Sequence, residues 1–204
     1  MRWPDFGVLD PLVEQFTVLL ASPCGYQLSS RLPPNERYSA DLLILDLLAS
    51  AEHAGAERFH AFGYSLTAAM VALLACETHR VIAVVAGGFP LLGSYARVLA
   101  RATQDAAATD VPFDDFDARA AIDFYGDLAD LDDGTLIRDA HCPILAFWGT
   151  DDALLQSFNS APDFAGDLST EGVTTMPIPG YGHDDAIFGL STADLASWLR
   201  ASVQ

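Results

Sequence analysis

Phe59-His60-Ala61-Phe62-Gly63-Tyr64-Ser65-Leu66-Thr67-Ala68-Ala69-Met70-Val71-Ala72-Leu73-Leu74-Ala75 is the stretch from which the fold can be read. The short apolar run from Phe59 to Phe62 has the length of a buried strand, and a helix of small and apolar residues begins just after Gly63. Ser65 stands at the bend between them. A tight strand-to-helix turn lifts a serine hydroxyl clear of its neighbours. It also places that serine at a helix N-terminus and aims the next amide, that of Leu66, at any developing negative charge. The pattern Gly-x-Ser-x-Gly holds through Leu66, but Thr67 replaces the last glycine, where a small residue suits the close approach of strand and helix. A serine here also has an ordinary reading as a helix N-cap.

Outward from this stretch, the chain alternates strands and helices. On the N-terminal side, residues 5–15 read as a short amphipathic helix and Phe16 to Ala21 as a buried strand, followed by the loop Ser22-Pro23-Cys24-Gly25-Tyr26. A helix with Ser39 as its cap runs to about Ala54, and Gly55 closes it. On the C-terminal side, Val81 to Ala86 is an apolar strand ending at Gly87-Gly88, and Pro143 to Trp148 is another. Leu154 to Asp167 reads as helix and loop, Val173 to Ile178 as the last strand, and Ala186 to Ser202 as a closing helix. This alternation predicts an α/β fold, with a mostly parallel sheet covered by helices on both faces.

The aspartate- and alanine-rich segment 91–140 breaks the rhythm. It carries Tyr95, Phe113, Phe116, Phe124 and Tyr125 and reads as two or three short helices forming a lid over the strand ends. Residues 1–204 are otherwise expected to form a single domain, with 91–140 inserted into it.

Composition narrows the function. The chain has 204 residues, 51% of them hydrophobic, which suits one domain with a sizeable core. No apolar run is long enough to span a bilayer, and Met1-Arg2-Trp3-Pro4-Asp5 has no signal-peptide core. The net charge of −18, with arginine as the only strong base, predicts no nucleic-acid partner and no anionic membrane partner. The excess aspartate reads as a solvated acidic surface. Three cysteines without metal spacing fit a reducing cytoplasm. No phosphate-binding glycine loop or dinucleotide fingerprint occurs, so no cofactor is expected. Asp151-Asp152 and His183-Asp184-Asp185 match no metal-ligand spacing, so no metal is expected either.

Three residue types that work together in nucleophilic catalysis lie just past predicted strand ends. They are Ser65, the aspartates of Gly149-Thr150-Asp151-Asp152, and His183 of Pro179-Gly180-Tyr181-Gly182-His183. Ligand sites in open α/β sheets form at that edge. A serine hydroxyl needs a base to accept its proton, histidine can do so near neutral pH, and a carboxylate fixes the ring's tautomer. The alternatives are a surface position for His183 and a helix N-cap for Asp152.

With these segments in the order Ser, Asp, His, the chain resembles the α/β-hydrolase superfamily over nearly its whole length, specifically its small lid-bearing members. The resemblance implies Ser65 as nucleophile, His183 as base and Asp152 as its orienter, with Asp151 the second choice. It also implies Leu66 N–H as an oxyanion donor and a substrate site shaped by Tyr64 and the lid aromatics Phe113, Phe116, Phe124 and Tyr125, although those rings could simply form the lid's own core. The expected partner is a small-molecule substrate, with a homodimer as the candidate assembly. The implied activity is a serine hydrolase acting on a small, fairly apolar ester or related acyl compound. The same fold also hosts perhydrolysis and carbon–carbon cleavage.

Measured against the resemblance, the chain reads as shortened at its N-terminus. Strands that normally precede Phe16 are missing, among them the one whose His-Gly loop gives a second oxyanion donor. Such a chain would leave a slot beside the Ser65 strand unless the Phe16 strand closed up against it. The alternative reading is therefore a weak or inactive ligand-binding relative.

Overall fold

The computed structural model describes residues 10–26, 28–108, 117–158, 167–169 and 171–203. Four strands form one sheet: β1 (Phe59–Tyr64), β2 (Val81–Gly87), β3 (Ile144–Gly149) and β4 (Thr174–Ile178). All pairings are parallel and the spatial order is β1-β2-β3-β4. The described helices are α1 (Asp10–Val13), α2 (Ala40–His53), α3 (Leu66–Glu77), α4 (Tyr95–Ala108), α5 (Ala118–Ala129), α6 (Thr135–Arg138), α7 (Ala153–Phe158) and α8 (Thr192–Ala201).

This order explains how both faces are covered. Parallel strands laid down in sequence with right-handed crossovers put every connecting helix on the same face. That face holds α3, residues of α4 to α6, and Leu154 and Phe158 of α7, with α2 packed beside them. The opposite face has no crossover, and the chain's outer parts cover it through Leu12 of α1 and Leu195, Ala196 and Leu199 of α8. Strand residues divide by their two-residue period: Val84, Ala86, Ile144 and Ala146 face the first core, and Val85, Leu145 and Phe147 face the second. Helix α3 is buried without a break from Ala68 to Ala75, which is why its sequence is apolar all round.

Two expectations are corrected. Phe16 to Ala21 is not a strand of the sheet: no residue from 17 to 21 takes part in a ladder. Leu19 and Leu20 are each 49% exposed. An apolar cavity of about 430 Å³, lined by Phe16 to Ala21 on one side and Phe59 to Phe62 on the other, separates the segment from β1. An apolar run becomes a strand only where a partner edge lies within hydrogen-bonding distance, and here β1 lies across the cavity. The closing helix is also broken. A 3₁₀ turn (Ala186–Gly189) precedes α8, which Ser191 caps through its hydroxyl, accepting from the Asp194 N–H. Gly189 is packed so closely against Ile178 and Tyr181 that any side chain there would collide with them.

The expected helix over 5–15 is described only from Asp10, as α1, which ends at Val13. The described residues of segment 91–140 carry three helices, α4, α5 and α6. Phe89, just past β2, lies between Tyr95 (ring centroids 6.3 Å apart) and Tyr125 (6.2 Å), which ties α4 and α5 to the strand ends. Many of the aspartates do more than solvate the surface. Asp123 and Asp127 on α5 accept from the Tyr38 and Ala40 amides, holding the start of α2. No helix among the described residues is long and apolar enough to cross a membrane.

Candidate active site

Ser65 follows β1 directly and has φ 53° and ψ −123°, the one non-glycine residue at positive φ among the described residues. That conformation costs on the order of 1–3 kcal/mol and persists only where the surroundings impose it. They do so from both sides. The Ser65 N–H is fixed to the Gly87 carbonyl at 2.8 Å, and its carbonyl accepts from Ala68 at 2.9 Å as α3 begins. A side chain at Gly63 would overlap the Thr67 carbonyl. Thr67, the departure from the glycine pattern, has a structural use: its hydroxyl accepts from the Tyr64 N–H (2.9 Å) and donates to the Tyr64 carbonyl (2.8 Å). These two peptide groups point away from β2, so the threonine satisfies a stretch of sheet edge that has no strand beside it among the described residues. Ser65 makes no capping bond with its side chain, which leaves the hydroxyl free for other partners.

Its partner is His183. The ring Nε2 lies 3.1 Å from Ser65 Oγ, and Nδ1 lies 2.8 Å from Asp152 Oδ2. Asp152 is fully buried, the only buried charged side chain among the described residues. Its other oxygen, Oδ1, accepts from the Leu155 N–H at 2.7 Å, so Asp152 both caps α7 and holds the imidazole. Asp151, the second choice, is exposed and accepts from the Thr150 hydroxyl.

The loops after β3 and β4, which carry Asp152 and His183, are laced together. Thr150 N–H donates to Ile178 O, Asp151 N–H to Tyr181 O, and Gly180 N–H to Thr150 Oγ1, each at 2.9 Å. Gly149 lets the loops approach, since any side chain there would overlap the Tyr181 carbonyl.

Leu66 N–H is the first amide of α3 and makes no hydrogen bond among the described residues, so it stands as a donor beside Ser65. Tyr64 is half-buried. Its ring packs on Phe147 and His183, and its hydroxyl donates to the His183 main-chain oxygen at 2.6 Å. Burial raises the Tyr64 pKa, and the charges of Asp152, Asp184 and Asp185 push the same way, so the hydroxyl stays protonated. Phe124 is 0% exposed and Tyr125 is buried, so both rings lie in core packing. Phe113 and Phe116 fall outside the described residues. No group of three or more potential metal ligands occurs among the described residues.

Sequence reasoning brought Ser65, Asp152 and His183 to the same sheet edge. It missed the tyrosine tie to the histidine loop and the threonine clasp. The second had a visible signal: a hydroxyl three residues after the strand's last outward-facing peptide.

No protein-family model matches the chain, and no curated protein matches it significantly. Solved structures do. A thermophilic esterase from Thermogutta terrifontis is 15% identical with a TM-score of 0.73, covering 97% of this chain and 84% of its own. A carboxylesterase structure from the ammonia-oxidizing thaumarchaeon Nitrososphaera gargenis is 15% identical with a TM-score of 0.69, covering 98% and 85%. An alpha/beta hydrolase from Novosphingobium aromaticivorans is 20% identical with a TM-score of 0.62, covering 88% and 78%. The parallel sheet, the helices on its two faces and these likenesses together establish that the chain has the α/β-hydrolase fold.

Proposed function

We propose that the protein is a serine hydrolase acting on a small, uncharged and fairly apolar ester. The observation that carries this reading is the unbroken line from Ser65 Oγ through His183 to buried Asp152, at 3.1 and 2.8 Å, on a serine held in a strained turn. His183 Nε2 takes the Ser65 proton as Oγ adds to the ester carbonyl. Asp152 keeps Nδ1 protonated and stabilises the imidazolium. The carbonyl oxygen becomes an oxyanion facing Leu66 N–H and the N-terminus of α3. His183 then passes the proton to the departing alcohol, leaving an acyl group on Ser65. A water, deprotonated by the same ring, releases the acid. The net charge of −18 disfavours anionic substrates.

A fluorophosphonate probe tests the reading directly. The probe should add to the Ser65 peptide, seen by mass spectrometry, and the adduct should vanish in Ser65→Ala. Short-chain p-nitrophenyl esters should be hydrolysed by the parent protein only. Folded protein that neither takes the probe nor turns over these esters would instead be a ligand-binding member of this fold.

A further inference from the structure

His183 is held at three points, and only two of them belong to its ring. Nε2 meets Ser65 and Nδ1 meets Asp152, but the main chain is held by Tyr64, whose hydroxyl donates to the His183 carbonyl at 2.6 Å. That carbonyl accepts no other hydrogen bond among the described residues. The neighbouring anchors fix the residues before it instead: Thr150 and Asp151 hold Gly180 and Tyr181, and Asp185 accepts from the Gly182 N–H.

The tyrosine is well placed to carry load. Its ring packs against Phe147 at 5.5 Å and His183 at 5.6 Å. It fills space left by Gly87 and Gly88: a side chain at either would collide with it, and Gly88 has φ +61°, which other residues rarely adopt. Its own peptide is clasped on the far side by Thr67. Ser65 and Tyr64 are adjacent residues, yet one supplies the reacting hydroxyl and the other holds the backbone of a base 119 positions further along.

We propose that Tyr64 is a positioning residue that fixes the distance between Ser65 and His183 by tying the histidine loop to the end of the serine's own strand. Because the two ties leave from the last residue of β1 and the residue directly after it, the serine and the base move as one frame. A loop drift of about 1 Å in such an arrangement can cost on the order of 10²-fold in rate. The kinetic part of this inference rests on the hydrolase reading, while the structural part does not.

Tyr64→Phe removes the hydroxyl and keeps the ring. In the variant, kcat for a short p-nitrophenyl ester should fall about tenfold, the scale of one hydrogen bond, with KM unchanged. The thermal midpoint should drop by no more than about 2–4 °C. Independently of turnover, the low-field proton resonance of the His183 Nδ1–H···Asp152 bond should broaden or disappear. Tyr64→4-aminophenylalanine, which restores a donor at the same place, should recover both signals. Wild-type kcat and an intact resonance in Tyr64→Phe would overturn the proposal, as would a loss that the amino variant does not restore. If the parent protein takes no probe at Ser65 but its resonance still depends on the Tyr64 hydroxyl, the hydrolase reading fails and the positioning role stands.

Discussion

At the residue scale the site turns on one carboxylate with two tasks. Asp152 was readable from the sequence either as an N-cap or as the partner of His183, and the structure gives one oxygen to each. This makes a clean substitution available. In Asp152→Asn the carbonyl oxygen can still cap α7, so the fold should persist, but the amide cannot enforce the working tautomer of His183. Esterase activity should fall by about 10⁴, the scale of the same change in a serine protease, with little loss in a urea melt. A folded Asp152→Asn protein that keeps its rate would remove the carboxylate from the mechanism. Thr67 makes a similar point in reverse: it reads as a misfit to the glycine pattern, yet its hydroxyl satisfies both outward-facing groups of Tyr64.

At the scale of elements, the decisive contact is between two loops that are distant in sequence. Gly149 at the end of β3 lies against the Tyr181 carbonyl in the loop after β4, and three hydrogen bonds tie the β3 loop to the end of β4 and the loop after it. Gly149→Ala has no room for its methyl group without separating them. Since one loop carries Asp152 and the other His183, the variant should lose activity by about 10²-fold or more. It should also lose on the order of 1–3 kcal/mol of stability, the cost of overpacking. Parallel measurement of kcat/KM and a denaturant midpoint checks both; normal values for each would mean the loops tolerate a wider spacing than their packing implies. The aspartates of α5 likewise act between elements, capping the start of α2 from another part of the chain.

At the scale of the whole molecule, the flank of β1 is the place to probe. His60 lines the apolar cavity there, and its Nδ1 is buried without a partner among the described residues. Burial lowers its pKa, and the Arg58 charge adds to the effect. A histidine whose folded pKa lies below its unfolded value binds a proton more readily when unfolded, so acid favours unfolding. Its contribution is fully present above the ordinary value of 6.5 and is lost as the pH falls from there toward the lowered folded value. His60→Phe keeps an apolar ring and removes the titration. It should therefore flatten the fall in thermal midpoint between about pH 7.5 and 5.5. An identical slope in the parent protein and the variant would show that the acid sensitivity arises elsewhere.

What the sequence determined by itself was whatever short-range pattern records. Apolar runs, capping serines and turn glycines placed the four sheet strands and their helices and brought Ser65, Asp152 and His183 to strand ends in hydrolase order. They did so because burial and backbone geometry write themselves into neighbouring residues. Tertiary structure alone decided the pairings. It left Phe16 to Ala21 outside the sheet, since an apolar run does not say whether a partner edge lies within reach. It broke the last helix at Gly189, where contact with Ile178 and Tyr181 leaves no room for a side chain. It buried Asp152 against His183 while leaving Asp151 exposed, and it joined Tyr64 to His183 across 119 positions by a hydrogen bond that no local pattern encodes.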